Sequence, residues 1–243
     1  MNPVFAILAA VAAIAGVGLL WWRSRVGREL GLMAATDTAN ARDVAGMAAG
    51  RPVVLKGKLS TDAPLKGEFS ERDCVYYRAL VEREVERVER DRDGTSRTER
   101  VFETVSSTEE HAPCRLEDAS GAVAIDFAGA KVEAIQSHQH YEAGGALAVV
   151  GAVLNVSGTV LGHRYTEWII PPAIPVYVLA TVLAGGTVGA SPNRTNPFVI
   201  SHKSEEERMR SLASTRLWVM VGAVVCFALA VGLLAWGSAA GRS

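Results

Sequence analysis

The chain has 243 residues, a formal net charge of -1 at pH 7, 49% apolar residues and 21% charged residues. That near-neutral balance speaks against nucleic acid as a partner held by bulk electrostatics. The high apolar share and a mean hydropathy of +0.17 speak against a wholly soluble chain and for membrane segments.

Residues 3–22 read "PVFAILAAVAAIAGVGLLWW" with no charge. A run of ~20 apolar residues is long enough to cross a bilayer. A cleaved signal peptide fits less well. No Lys or Arg precedes the run, and Trp21, Trp22, Arg23, Arg25 and Arg28 stand where a small-residue cleavage site belongs. The paired Trp suits an interface belt. Residues 23–50 read as a linker with a short helix, started by Asn40 and Asp43 and ended by Gly50.

From residue 51 to 203 strand signals dominate. "PVVLKGKL" is one strand and "CVYYRALVEREVERVER" a long second one. "SRTERVFETVSS" returns after the Asp-Gly turn signal of "DRDG". "CRLEDASGAVAIDF" gives a strand, a turn and another strand; "RYTEWII", "VYVLATV" and "FVISHK" complete the set. Many strands with few helices between them predict a mainly β fold: a small OB-like or half-closed β-barrel between two transmembrane helices, with a short helix before it. The arm 82–104 carries alternating charges. It reads as a solvated hairpin or as a charged surface for a protein partner. Val85 and Val88 break its period of two, which keeps a helical alternative open.

Residues 143–162, "AGGALAVVGAVLNVSGTVLG", are charge-free but rich in Gly, with Asn155, Ser157 and Thr159. They read as a Gly-rich apolar loop resting on the membrane surface, with a third span or a re-entrant segment as the alternative. Residues 163–182 are also poor in charge, yet Pro171, Pro172 and Pro175 rule out a straight helix at ~3 kcal/mol each. This stretch reads instead as strand, Pro corner, strand. Residues 204–237 form the last element. Ser204 and Glu207 have capping-box spacing, and "LWVMVGAVVCFALAVGLLAWG" is the second span, leaving 238–243 as a tail.

Arg23, Arg25 and Arg28 follow the first span, and Lys203, Arg208, Arg210 and Arg216 precede the second. The positive-inside rule then places the middle of the chain in the cytoplasm and both termini across what reads as a bacterial inner membrane. Cys74 and Cys114 pair only if the fold brings them close in an oxidising compartment; otherwise they are reduced thiols at strand positions. His138, His140, His111 and Cys114 are scattered candidates for a zinc site, against a reading as exposed histidines. Glu167 is a lone carboxylate that pairs with Arg78 or Arg164 as structural glue in preference to catalysis.

The collinear series "VVLKGKLSTDAPLKG", "CVYYRALVE", "PCRLEDASGAVAIDF", "LGHRYTEWIIPPAIPVYVLATV" and "FVISHKSEEE" resembles the GIDE/MAPL family of E3 ubiquitin ligases, above all its prokaryotic members. The resemblance spans nearly the whole chain and implies a membrane-adjacent β domain. Its motif residues here are Gly57, Pro64, Leu65, Cys74, Tyr76, Tyr77, Gly121, Asp126, Glu167, Pro171, Pro172 and Tyr177. The family's Pro-Gly corner is Pro172-Ala173 here. The family's ligase activity sits in a RING, which needs eight Cys/His ligands in paired spacings for two zincs. These 243 residues contain no such paired spacing.

The expectation is thus a membrane-anchored, non-catalytic scaffold or sensor with no catalytic residue, no cofactor and no metal, zinc entering only with a RING-like site. Its partners are the lipid bilayer and a protein bound by the arm 82–104 or the barrel surface. The alternatives are a RING-type ubiquitin transferase and a lipid sensor acting through the Gly-rich loop.

Overall fold

The computed structural model of the chain describes residues 3–90, 96–144, 159–192 and 196–239. Helix α1 covers Pro3–Ala35 and helix α2 covers Glu205–Ala239. Both are long and apolar enough to cross a membrane. Their outward faces are lipid-like, with Ile7, Ile14, Trp21, Leu217, Val231 and Trp236 exposed. The helices lie antiparallel. A Cβ added at Gly16 would meet the Phe227 ring at 2.9 Å, one at Gly222 would meet Leu19 at 3.4 Å, and one at Gly27 would meet Arg216 at 3.9 Å. At Gly16 the missing side chain makes room for the Phe227 ring, while the contacts at Gly222 and Gly27 are ordinary packing distances. α1 runs thirteen residues past Trp22, so the first part of the expected linker is helix. "RSRVGRELGLMAA" holds no proline to stop it, and Met33 at its end is buried.

The short helix is a 3-10 turn over Ala41–Gly46. The Asn40 side chain does not cap it; its amide donates to Asp43 instead, at 2.9 Å. The open Ala41 N–H is taken by the remote Asp118 carboxylate at 2.7 Å. Gly50 does not terminate that turn. It sits at φ +91° in the following turn and donates its N–H to the Val182 carbonyl.

Among the described residues thirteen strands follow: β1 Pro52–Ser60, β2 Leu65–Lys66, β3 Asp73–Cys74, β4 Tyr76–Arg90, β5 Ser96–His111, β6 Cys114–Asp118, β7 Gly121–Ile125, β8 Lys131–Glu133, β9 Ile135–Ala143, β10 Thr159–Ile170, β11 Pro175–Val182, β12 Val188–Gly189 and β13 Val199–Ser201. The order β1-β6-β7-β12-β11 closes back onto β1, making a five-strand barrel, with β13 and β8 continuing from β11. Its interior follows the period of two: Val53 and Leu55 of β1 stand opposite Ala180 and Val178 of β11, and Leu59 stands opposite Leu116 of β6. At Gly57 an added Cβ would come within 2.4 Å of the Glu117 carbonyl, so only glycine lets β1 pass so close to β6.

A second sheet has the antiparallel order β5-β4-β10-β9. The charged arm is therefore the β4–β5 half of a four-stranded sheet, not a helix. Val85 is fully buried opposite Val101 and Val160, while Val88 lies on the other face and is exposed. Residues 163–182 form strand, corner, strand as expected. Ala173 takes φ +63° at the corner and donates its N–H to Leu59 at 2.9 Å. Of the expected Gly-rich loop, Ala143 ends β9 and Thr159–Gly162 begin β10. Residues 145–158 lie outside the described residues.

Candidate functional site

Glu167 is the most buried acid on the second sheet, with 0% exposure. The loop joining β2 and β3 folds over it. The Phe69 N–H donates to its carboxylate at 2.7 Å, and the hydroxyls of Ser70 and Ser137 donate to its other oxygen. Gly67 is required there, because a Cβ would meet Ser70 Oγ at 2.7 Å and a Glu167 oxygen at 2.8 Å. Burial pushes the carboxyl up, but the hydrogen bonds from Ser137, Ser70 and the two backbone N–H groups outweigh it. Glu167 is held below the ordinary carboxylate range. Leu65, Phe69, Cys74, Tyr77, Ala79 and Ile169 pack beside it.

The expected pairing of Glu167 with Arg78 or Arg164 does not occur. Side chains alternate along β10, so Arg164 lies on the other face, where it grips Glu82 at 2.8 and 2.9 Å. Its guanidinium also lies 3.9 Å over the Phe102 ring. Arg78 stands opposite Trp168, with its guanidinium 5.8 Å from the indole. Tyr141 lies across Gly162 and donates to Glu84 at 2.6 Å.

A second built region is the junction between barrel and helices. Met33 of α1 and Met209 and Leu212 of α2 pack on Val54, Tyr177, Leu179 and Val199. These residues lie on the outer wall of the barrel, so β1, β11 and β13 are covered on both faces. Arg208 is 2% exposed and pairs with Glu133 at 2.5 Å; Ser201 donates to the same carboxylate at 2.9 Å. Burial raises the Glu133 pKa, yet Arg208 and Ser201 hold it below its ordinary value. The capping box forms as the spacing indicates. The Glu207 N–H donates to Ser204 Oγ at 3.2 Å and the Ser204 N–H to Glu207 at 3.3 Å.

A cleft of about 690 Å³ lies beside this junction. Gly57, Pro175, Val176 and Tyr177 supply apolar wall. Lys56, Lys58 and Lys203 face Glu117, Asp118, Glu205 and Glu206 around it, and Lys56 pairs with Glu205 at 2.6 Å. Its charges therefore nearly cancel.

The motif residues fall into separate places. Leu65, Cys74, Tyr77 and Glu167 share the buried clamp. Tyr76 enters the barrel core and stacks on Phe127 at 6.1 Å. Gly57 and Tyr177 line the cleft. Gly121 and Asp126 sit at the ends of β7, where the Asp126 N–H donates to Val188 at 2.9 Å. Pro64 precedes β2, and Pro171 and Pro172 open the corner. Ser70, Ser137, Glu133 and the role of Arg208 were not foreseen from sequence. Their partners lie 30 to 97 residues away along the chain, or across the junction.

Cys74 and Cys114 are both free. Cys74 belongs to the clamp and Cys114 to the barrel core. Burial pushes each thiol up to about 11, with the Glu167 charge adding to the shift at Cys74. The suggested zinc ligands are not brought together. His111 stacks on Phe127 at 5.3 Å, and His138 and His140 lie on β9, their rings 6.4 Å apart. Among the described residues no group of three or more His, Cys, Asp or Glu has metal-binding geometry.

A closed barrel framed by two helices of membrane-crossing length, whose near ends pack on its outer wall, defines a helix-anchored β domain. Residues 82–235 match the GIDE family, described as E3 ubiquitin ligase. The match covers more than half of the chain, and the protein belongs to that family. No curated protein and no solved structure matched the chain.

Proposed function

We propose that this protein is a membrane-anchored, non-catalytic binding protein, a scaffold or sensor that holds its barrel beside the bilayer. The observation that carries the reading is the junction: both helices end on one wall of the barrel, through Met33, Met209, Leu212 and the buried Arg208–Glu133 pair. From Glu205 to Arg216, α2 rises about 18 Å before its apolar run begins at Leu217. The barrel is thereby held near the headgroups at a set height and angle. With a bacterial inner membrane as the site of insertion, the basic residues flanking both spans favour a barrel in the cytoplasm. A protein partner binds the arm 82–104 or the barrel surface.

The family description favours a second reading, ubiquitin transfer. The test is a pair of measurements on the purified full chain: zinc content and ubiquitin discharge from a loaded conjugating enzyme. No bound zinc and no discharge are expected. About two zincs per chain with discharge would establish the second reading. Reporters fused at residue 243 and within residues 91–94, "DRDG", test the topology; only the latter is expected on the cytoplasmic side.

A further inference from the structure

The open face of the second sheet ends, next to the barrel, in a pocket of about 300 Å³ lined by Tyr76, Arg78, Val132, Trp168, His202 and Lys203 among others. Its charges do not cancel as those of the larger cleft do. The Glu133 carboxylate in its wall is already neutralised by Arg208 and bonded by Ser201. Glu109, opposite Arg78 on β5, accepts from the Tyr76 hydroxyl at 3.0 Å. Among the described residues neither Arg78 nor Lys203 has a carboxylate at ion-pair distance. Two exposed cations thus border an aromatic wall of Trp168 and Tyr76.

The face leading away from this pocket carries Arg164, Phe102 and Tyr141, with Phe102 44% and Tyr141 43% exposed. Two of its acids are ion-paired within the sheet, Glu82 with Arg164 and Glu86 with Arg100, while Glu84 accepts from the Tyr141 hydroxyl and keeps its charge. Aromatic and Arg side chains on a rigid sheet have the composition of binding hot spots. The exposed charge left over at the pocket end is positive.

We propose that this face docks a protein partner through an acidic segment, one carboxylate side chain of which enters the Arg78–Lys203 pocket while its neighbours lie along Phe102 and Tyr141. This deepens the partner-binding reading and rests on it. It does not depend on whether the chain also transfers ubiquitin.

The test uses the full chain in nanodiscs of phosphatidylcholine, with fluorescein-labelled hexaglutamate followed by anisotropy. Saturable, salt-sensitive binding is expected. Arg78→Glu and Lys203→Glu should each weaken it at least tenfold. Lys203 borders both cavities, so the discriminating controls are Lys56→Glu and Lys58→Glu, which line only the larger cleft, change net charge by the same amount and should change binding less than twofold. All four substituted residues are exposed, and an unchanged thermal unfolding midpoint checks folding in each. Equal loss in all four variants, or no saturable binding, would overturn the proposal. Binding of free glutamate or inorganic phosphate as tight as that of the peptide would also overturn it, by making the pocket a small-anion site. The zinc and discharge measurements are separate readouts, so each reading fails on its own evidence.

Discussion

Replacing Glu167 by alanine tests the physical core of the second sheet. The carboxylate is fully buried and accepts from the Phe69 N–H, Ser70 and Ser137. Its removal strands two backbone N–H groups, of Phe69 and more weakly of Ser70, that cannot turn away, and two hydroxyls that can. A buried donor left unsatisfied costs about 1–3 kcal/mol, so Glu167→Ala should destabilise by about 2–4 kcal/mol, and Glu167→Gln, which keeps the volume and one acceptor, by less. The pH dependence has a definite sign. The folded carboxyl is held below its unfolded value, so the contribution is present above about pH 4.3 and is lost as pH falls through the folded value. The assay is denaturant unfolding of the full chain in micelles over a pH series, read by near-ultraviolet circular dichroism. Wild type should lose stability below that pH along a slope that Glu167→Gln partly removes. A change under about 0.5 kcal/mol in Glu167→Ala, or identical pH slopes, would refute the clamp as described.

Ala173 is exposed and holds φ +63°, so Ala173→Gly should stabilise by about 0.5–1 kcal/mol, and Ala173→Val should destabilise, in the same unfolding assay. Gly57→Ala drives a Cβ against the Glu117 carbonyl and should cost about 1–3 kcal/mol, seen as a lower melting midpoint. Cys74 and Cys114, pushed to about 11 by burial, should resist iodoacetamide at pH 8 in the folded chain and react once denatured; mass spectrometry of the labelled peptides decides.

Sequence alone determined the parts whose signal is local. Two charge-free runs with Trp at their ends fixed the helices, because no other structure hides so many apolar residues over that length. Three prolines within five residues fixed the corner between β10 and β11. Ser204 and Glu207 fixed the start of α2, because a capping box is complete within four residues. Tertiary structure decided what depends on distance in the chain. The sequence suggests Arg78 or Arg164 as the partner of Glu167, but strand alternation sets Arg164 on the other face, and the residues that cover Glu167, Ser70 and Ser137, arrive from elsewhere in the fold. Val85 and Val88 seemed to contradict a strand until a four-stranded sheet gave one of them a buried face. Arg208, read as one more charge ahead of a span, became a buried anchor only when β8 brought Glu133 beside it. Hydrophobic length and turn chemistry act within a few residues and are written along the chain, whereas the partner of a buried charge is set by which strands the barrel closes together.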